Sequence, residues 1–401
     1  MPARQLAPGN LDGAPVSSYD IGIIGAGVHG LSAAYHLTRR GVSTLILERG
    51  RRAGGPTGRA SGVVRAYYTN RFLAEVARDS TAVLADLAGR AGDGSGYVRT
   101  GGLYLHAAGD AADVRATAAG LAAAGIGHEV LTPDDLARRF PDLNLDGTAI
   151  GVWERHAGHA DPYRTALGYA TRAVALGATL LEHSRVCQIV EGPRSVKLLL
   201  ADGSGHEVGR LLVAAGPWTA PLVAQLGVVL PLTAERHVVA GLRHAPGDTP
   251  RAIPHVLIDV QHGYYSRPDG AGRFLLGPLA PTAATDPDAF AADITGAEHA
   301  WLAARAAHRA PVRGRAVADG GWASLYDVSP DWQPVTGRIG ERVYVDAGTS
   351  GHGFKLAPVW GDHVARLLLD DADARLGQFS PGRFAAGTGL ASGFGAARIL
   401  G

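Results

Sequence analysis

A glycine-rich turn near the start of the chain limits the possible folds more than any other feature. A short apolar run leads into the sequence GAGVHG, in which Gly25, Gly27 and Gly30 are spaced as Gly-x-Gly-x-x-Gly. An alanine-rich helical stretch follows, and the apolar run VSTLIL then ends in Glu48, 18 residues after the last glycine. This order of strand, turn, helix, strand and acid is typical of a βαβ dinucleotide-binding unit.

Each part of this unit has a physical task. The glycines allow the backbone to turn tightly and to approach a pyrophosphate, whose charge the helix N-terminus stabilises. Glu48 is placed to accept hydrogen bonds from the adenosine ribose hydroxyls, and its charge disfavours the extra 2′-phosphate of NADP. The motif by itself is compatible with both NAD and FAD.

The composition is that of an ordinary globular protein. Of 401 residues, 46% are hydrophobic and 19% are charged, which favours two domains or one large composite. A formal net charge of +1 excludes a global field that attracts nucleic acid or an anionic membrane. Cys187 is the only cysteine, so an internal disulfide is excluded and a cytoplasmic location is expected. His156 and His159 have Gly158 between them and no cysteine nearby, so no metal site is predicted.

The remainder of the chain departs from a regular nicotinamide-binding unit. The second strand is followed by a glycine-rich loop, Gly54 to Asn70, instead of further βα repeats. Two later stretches, GRLLVAAGPWTAPLVAQLG and ERVYVDAGTSGHGFKLAPVWGDHVARLLLD, repeat the plan of strand, glycine loop and helix. We therefore expect one sheet assembled from three distant parts of the chain, which suits a long cofactor stretched across it.

Short apolar runs of a different texture lie between these parts. HVVAGL, HVLIDV, GYYSRP and RFLLGP are predicted as strands of an antiparallel sheet, with a hairpin turn at Pro268-Asp269-Gly270. The predicted fold class is α/β and α+β: a Rossmann-like domain, discontinuous in sequence, plus a substrate domain with an antiparallel β-sheet and flanking helices. The predicted boundaries are 18–104, 151–230 and 321–384 for the cofactor domain, 105–150 and 231–320 for the substrate domain, and 1–17 and 385–401 for flexible tails.

Four longer stretches carry a family resemblance. They are TGRASGVVRAYY, LLVAAGPWTAPLVAQLGVVLPLTAERHVVAGL, SLYDVSPDWQPVTG and GTSGHGFKLAP. From about Tyr19 to Phe384 the chain resembles the D-amino-acid oxidase superfamily of FAD enzymes, specifically its sarcosine-oxidase-like branch. The resemblance implies that the protein binds FAD and oxidises the C–N bond of N-methyl or cyclic secondary amino acids to an imine.

The resemblance also implies which residues face the substrate. Arg65 and Lys355 clamp its carboxylate, and a solvated lysine at a helix start is otherwise disfavoured by the helix dipole. Tyr326 and either Tyr264 or Tyr265 fall where related enzymes carry tyrosines that shape the pocket.

A second set of residues is implied to hold the cofactor. His352 resembles a residue close to the flavin, and the glycines around it bring backbone N–H groups toward the pyrimidine edge. The full predicted cofactor-binding set is Gly25, Gly27, Gly30, Glu48, Arg49, Ser61, Gly62, Val186, Gly216, Trp218, Gly348, Gly351, Gly353, Phe354 and Lys355.

The chain departs from related enzymes at two places. Ser324 stands where some carry the cysteine that links to flavin, and no histidine lies near Arg59, so FAD is predicted to bind noncovalently. Leu275 stands where sarcosine oxidases carry a lysine that promotes oxygen reduction, and Arg273, two residues away, is a candidate substitute cation. The electron acceptor, oxygen or another molecule, therefore stays open.

The function predicted is FAD-dependent oxidation of a small secondary, N-methyl or cyclic amino acid, or a related amine-bearing carboxylate. Two alternatives stay open: an NAD-dependent dehydrogenase, and a catalytically silent FAD-binding subunit of a larger complex. The sequence gives no indication of the specific substrate or of the oligomeric state.

Overall fold

The helices of the protein lie mostly on the outside of two large sheets. The computed structural model describes residues 18–89, 94–245, 253–270, 272–370, 373–394 and 397–400. Among the helices of these ranges, none is both long and apolar enough to cross a membrane. They are α1 (Val28–Thr38), α2 (Arg71–Asp86), α3 (Ala111–Ala123), α4 (Pro133–Arg139), α5 (Pro162–Ala175), α6 (Thr219–Ala224), α7 (Gly296–Arg309) and α8 (Gly353–Asp370).

The strands form two eight-stranded sheets and a small three-stranded one within the described ranges. They are β1 (Ser18–Ile24), β2 (Thr44–Leu47), β3 (Val63–Val64), β4 (Val98–Arg99), β5 (Gly102–His106), β6 (Glu129–Leu131), β7 (Ile150–Glu154), β8 (Gly158–His159), β9 (Thr179–Leu181), β10 (Val186–Glu191), β11 (Val196–Leu200), β12 (Gly205–Val213), β13 (Thr233–Arg243), β14 (Val256–Asp259), β15 (Tyr264–Pro268), β16 (Arg273–Pro278), β17 (Val317–Val328), β18 (Val335–Arg338) and β19 (Val343–Ala347).

The first large sheet is built around β1. Strand β1 pairs in parallel with β2 on one side and with β12 on the other, and β12 pairs in parallel with β19. Its members therefore come from three distant parts of the chain, as predicted. The last four residues of β1 and all of β2 and β19 are buried, which is typical of a parallel sheet covered on both faces.

The second large sheet has the strand order β17-β13-β16-β15-β14-β5-β7-β6. Its pairs are antiparallel except that β14 and β5 run in parallel. The predicted hairpin is present, since β15 and β16 pair across the turn at Pro268-Asp269-Gly270. Strands β5, β7 and β17 belong to this sheet, so it extends beyond the boundaries predicted for the substrate domain.

Helices α1 and α8 pack closely against each other on the first sheet. The Ser32 hydroxyl donates to the Ala357 carbonyl at 2.7 Å, and a Cβ on Gly361 would lie 2.3 Å from the same hydroxyl. Their first turns are joined as well, because the His29 ring lies 3.1 Å from the Gly353 carbonyl. Both helices therefore direct their N-termini toward one place.

The C-terminal segment, residues 390–394 and 397–400, packs against the body of the protein. Phe394 and Leu400 are buried, and the Leu390 amide donates to Asp331 at 3.0 Å. This differs from the flexible tail predicted for 385–401, because apolar side chains isolated in a glycine- and alanine-rich stretch find buried positions in the fold. The tail predicted at 1–17 lies outside the described residues.

Candidate active site

A cavity of about 1030 Å³ connects the two large sheets. This volume is at the upper end of the ~300–1,000 Å³ common for small-molecule sites, which leaves room for a dinucleotide and a small substrate. Most of the predicted site residues line it: Gly25, Gly27, Glu48, Arg49, Ser61, Gly62, Arg65, Val186, Gly216, Trp218, Tyr326, Gly351, Gly353, Phe354 and Lys355. The predicted residues outside the lining are Gly30, Gly348, Tyr264 and His352.

The glycine turn forms one end of the cavity. Gly25 has φ +109°, and a Cβ there would lie 2.4 Å from the Ala214 carbonyl oxygen, so only glycine fits. A Cβ on Gly30 would lie 2.1 Å from the Gly25 carbonyl oxygen, so this glycine serves the packing of helix on turn. Helix α1 begins directly after Gly27 and presents its N-terminus to the cavity, where a phosphate is stabilised.

The Glu48 carboxylate is held in place beside this turn. It accepts the amides of Ala26 at 2.9 Å and Gly50 at 2.8 Å. A carboxylate has about four acceptor positions, so capacity remains for ribose hydroxyls. The residues at this end therefore fit the adenosine half of FAD.

An aromatic platform lies at the same end. The Arg49 guanidinium lies 3.8 Å from the Trp218 ring centre, and both side chains donate to Asp288 at 2.9 Å. Asp288 was not anticipated, because it is far away in sequence and belongs to no motif.

The start of α8 lines the cavity next to the first turn of α1, and the lining continues from there to Tyr326 and Lys355. Gly351 has φ +80°, and a Cβ there would lie 2.2 Å from the Tyr326 ring. This close approach of backbone to ring explains why glycine is required. The N-terminus of α8 opens onto the cavity, so its dipole favours negative charge there.

A half-buried histidine, His29, connects the glycine turn to the start of α8. His29 Nδ1 lies 2.9 Å from Asp346, and its Nε2 faces the Gly353 carbonyl. Burial lowers the pKa of His29, but the charge and hydrogen bond of Asp346 together with that carbonyl raise it above its ordinary value. Asp346 also accepts Thr336 at 2.8 Å and Trp360 at 2.9 Å. His29 therefore links α1 to α8, and its contacts favour the protonated form of the ring.

Two cations are buried at the α8 end. Arg65 is 3% exposed, stacks over Tyr68 at 4.2 Å and donates to the carbonyls of Tyr67 and Ile399. Lys355 is 5% exposed and makes one long contact, 3.3 Å, to the His352 carbonyl.

A buried carboxylate, Glu154, interacts electrostatically with both cations. Glu154 is buried and accepts the Tyr104 hydroxyl at 2.7 Å and the Ala66 amide at 2.7 Å. Burial raises the pKa of Glu154. Burial also lowers the pKa of Lys355 well below its usual range, and the Arg65 charge lowers it further. Because the cations are incompletely balanced, this end of the cavity is suited to an incoming carboxylate.

Aromatic rings form the wall beside these cations. Tyr326 and His237 stack at 3.8 Å with their planes 15° apart, and both line the cavity. Because side chains alternate along β15, Tyr265 faces the cavity while Tyr264 is buried in the core on the other side of the sheet. The structure thus selects Tyr265 from the two alternatives. His237 was missed, since the sequence marks it only as the start of a strand.

His352 is buried and does not line the cavity. Its Nε2 lies 2.9 Å from the Trp332 carbonyl, and its ring lies 5.6 Å from Tyr68. Burial, followed by the Lys355 charge, lowers the pKa of His352 well below its ordinary value, so the ring is neutral. It supports the loop that leads into α8.

The structure also gives the locations of the residues that the sequence analysis linked to flavin attachment and to oxygen reduction. Ser324 and Arg59 line the cavity, as does Cys187 on β10. Leu275 is buried and lies opposite Arg267 on β15. Arg273 forms ion pairs with Asp269 and Asp319, which neutralise it. No group of three or more His, Cys, Asp or Glu that could hold a metal is found in the described ranges.

The glycine turn, Glu48 and the α8 N-terminus fit FAD, and the buried cations fit a carboxylate beside it. Fold and cavity together define a two-sheet, dinucleotide-binding oxidoreductase. The sequence matches the profile of the FAD dependent oxidoreductase family, DAO, over residues 20–367, and the chain belongs to this family.

Individual relatives agree with this assignment. The chain is 29% identical over 387 residues to a peroxisomal sarcosine oxidase of Mus musculus, covering 90% of this chain and 96% of that protein. It is 27% identical over 362 residues to a formaldehyde-forming 4-methylaminobutanoate oxidase of Paenarthrobacter nicotinovorans, covering 86% of this chain and 43% of that longer protein. The solved structure of L-proline dehydrogenase from P. horikoshii shares the fold, with a TM-score of 0.83 at 22% identity over 93% of this chain and 99% of that one. The predicted family and fold class are confirmed, and the protein is an FAD-dependent amine or amino-acid oxidoreductase.

Proposed function

We propose that the protein oxidises the C–N bond of a small secondary, N-methyl or cyclic amino acid to an imine. The observation that carries this proposal is the pair of buried cations, Arg65 and Lys355, at the end of the cavity reached by the α8 N-terminus. A carboxylate bound there complements their charge. Its attached amine then lies between the tyrosine wall and the place where the cofactor fits.

The residues divide the work of binding and orientation. Arg65 and Lys355 hold the carboxylate, which fixes the substrate in one orientation. Tyr326, Tyr265 and His237 exclude water from the side of the amine. Bound FAD would supply the two-electron oxidant. A hydride would leave the carbon next to the amine nitrogen and the proton on that nitrogen would pass to water, which leaves a C=N bond. Water then hydrolyses the C=N bond. An acyclic substrate gives an amine and a separate carbonyl compound, whereas a cyclic one gives a single ring-opened molecule that carries both groups.

The nucleotide end provides affinity for the cofactor. Glu48 is positioned for the ribose, the α1 N-terminus for the pyrophosphate, and the backbone at Gly351 and Gly353 for the flavin's pyrimidine edge. We also infer that FAD is held noncovalently, because Ser324 and Arg59 stand at the two positions where relatives carry the linking cysteine and histidine. Cys187 also lines the cavity, but it lies on β10 of the first sheet and occupies neither position.

Anaerobic reduction of bound flavin tests the proposal. N-methylglycine and proline are compared with dimethylamine and pyrrolidine, which are the same amines without the carboxylate. We expect absorbance loss with the amino acids and much slower loss with the amines. Arg65→Ala should reduce the efficiency by about 30-fold or more, equivalent to ~2 kcal/mol for a lost buried charged contact, because the other cation cannot orient the substrate alone.

The matched control is Arg115→Ala, which removes an exposed arginine on α3. Equal rates with and without the carboxylate, or equal effects of the two arginine variants, contradict the carboxylate clamp. Flavin that stays oxidised with a broad panel of amino acids points instead to a silent FAD-binding subunit.

A further inference from the structure

The C-terminal segment reaches the substrate end of the cavity. The side chains of Ile399 and Leu400 line the cavity together with Arg65 and Lys355. Ile399 is 9% exposed and Leu400 is 1% exposed. The segment thus places two apolar side chains where a substrate side chain or ring is expected.

The same segment provides a hydrogen-bond acceptor for Arg65, one of the two cations proposed to bind the substrate carboxylate. One guanidinium nitrogen of Arg65 donates to the Ile399 carbonyl oxygen, and the other donates to Tyr67. Arg65 needs this acceptor, since a buried guanidinium without hydrogen bonds is costly. The Ile399 carbonyl oxygen therefore accepts a hydrogen bond from Arg65 that an oxygen of the substrate carboxylate would otherwise accept.

The segment is attached by buried apolar side chains, a ring stack and a small set of hydrogen bonds. Phe394 stacks on Tyr67 with ring centres 5.8 Å apart and planes 2° apart, and it meets the His106 ring at 4.8 Å. A left-handed turn at Gly393, φ +61°, precedes a reversal that bridges Phe394 to Ala397. The amide of Gly393 reaches the Thr69 hydroxyl at 3.4 Å.

We propose that this segment is an intramolecular competitor for the substrate carboxylate and thereby determines specificity. The proposal rests on the carboxylate clamp of the proposed function. The Arg65 guanidinium already makes a charge-assisted hydrogen bond to the neutral Ile399 carbonyl. A carboxylate adds an opposite charge and can accept two guanidinium N–H groups at once, so it displaces Ile399 from Arg65. A neutral amine or alcohol has no such advantage, and the segment then stays in place.

The competition predicts a measurable loss of apparent affinity. If the displaced state has a population of about 10%, the apparent Kd is about tenfold weaker than the intrinsic one. Loosening the segment therefore tightens carboxylate binding by up to about tenfold. A segment that was simply a wall of the site has the opposite effect, because loosening it removes contacts from the ligand.

Two variants loosen the segment by different routes in the full-length holoenzyme. Phe394→Ala removes the ring that anchors it. Gly393→Ala keeps every buried side chain but places a Cβ 2.4 Å from the Ala397 carbonyl oxygen at a left-handed position. Phe140→Ala is the matched control, because this phenylalanine packs against Trp153 and His255 and lies outside the cavity lining.

Calorimetric titration with acetate, propanoate and butanoate is the first measurement. We expect about tenfold tighter binding in Phe394→Ala and Gly393→Ala and no change in Phe140→Ala.

The second measurement is hydrogen exchange of the amides of Ala397 and Leu400, which donate to carbonyl groups within the segment. Saturating butanoate should accelerate their exchange in the unmodified protein. Unchanged or weaker binding in both loosened variants, or protection of these amides by butanoate, overturns the proposal.

Adding Arg65→Ala to each loosened variant tests the carboxylate clamp separately from the competition by the C-terminal segment. If Arg65→Ala abolishes binding but loosening does not tighten it, the clamp stands and the competition is wrong. If binding is indifferent to Arg65, the clamp itself is wrong, and both the competition and the proposed function lose their basis.

Discussion

At the residue scale, Lys355 is the side chain whose surroundings depart most from its ordinary preferences. It is a cation at the N-terminal turn of α8, it is buried, and its neighbour Arg65 carries the same charge. Burial and the arginine lower its pKa well below the usual range. A carboxylate placed between the two cations reverses this effect, so ligand binding and proton binding at Lys355 are coupled.

This coupling predicts a pH dependence of carboxylate affinity. The charged form of Lys355 binds the ligand, so the Kd of propanoate should be tightest below the lowered pKa. It should then weaken by up to about tenfold per pH unit above that pKa, because binding must take up a proton. Propanoate has no amine, which removes the substrate's own titration from the measurement by calorimetry.

Two substitutions check the origin of this slope. Lys355→Met should bind propanoate weakly with no slope in the same pH range, and Lys355→Arg should also lose the slope because arginine stays charged. A slope that persists in Lys355→Met would assign the titration to a different group.

At the element scale, the β15–β16 hairpin carries the positions that the sequence analysis linked to oxygen reduction, and Leu275, Arg267 and Arg273 lie outside the cavity lining. Arg273 was the candidate cation from the sequence, but it is bound to Asp269 and Asp319. The residue directly across from Leu275 is Arg267, which is buried and donates to the Ser61 carbonyl while it pairs with the same Asp269. Cross-strand pairing, which the sequence does not reveal, places this second arginine there.

We expect slow reaction of the reduced enzyme with oxygen. Arg267 is paired with Asp269, and Arg273 is paired with Asp269 and Asp319, so both cations are engaged by carboxylates and neither is free to stabilise a developing superoxide. Leu275→Lys should accelerate reoxidation in air-saturated buffer at least about tenfold, while Arg273→Ala should leave it unchanged. Stopped-flow absorbance of the flavin measures both rates. Rapid reoxidation of the unmodified enzyme would show that oxygen is activated without a free cation on this hairpin.

At the scale of the whole molecule, the cofactor site depends on contacts between distant parts of the chain. His29 and Asp346 lie 317 positions apart in sequence and 2.9 Å apart in space. Because the folded pKa of His29 is raised, this pair contributes fully to stability below the unfolded pKa of about 6.5. The contribution is lost as pH rises through the raised folded pKa.

His29→Gln should therefore lower the melting temperature more at acidic than at alkaline pH. It should also weaken FAD binding about tenfold, because the first turns of α1 and α8 are no longer held together. Thermal unfolding across pH and titration of the apoprotein with FAD are the measurements. His308→Gln, on the exposed face of α7, is the control. A pH-independent effect of His29→Gln on unfolding would remove the ion pair from this explanation.

The sequence predicted what is encoded locally. The glycine turn and Glu48 identified the cofactor end because adjacent residues impose that geometry, and the family resemblance added Arg65 and Lys355. Glu154 and Ile399 gave no signal, since their importance arises from tertiary contacts with Arg65. Likewise, the choice between Tyr264 and Tyr265 required the register of β15, which a pair of adjacent tyrosines does not reveal.

The order of strands in the first sheet has a consequence for biosynthesis. Strand β1 leaves the ribosome early, but its neighbour β12 ends at Val213 and the helix that closes the cavity begins at Gly353. Contacts of such long sequence separation form slowly, and a nascent chain lacks them until synthesis is nearly finished. Cofactor capture is thus a late event of maturation, because a chain that stalls before α8 has the parallel strands of the first sheet but lacks the helix that packs against α1 and lines the cavity.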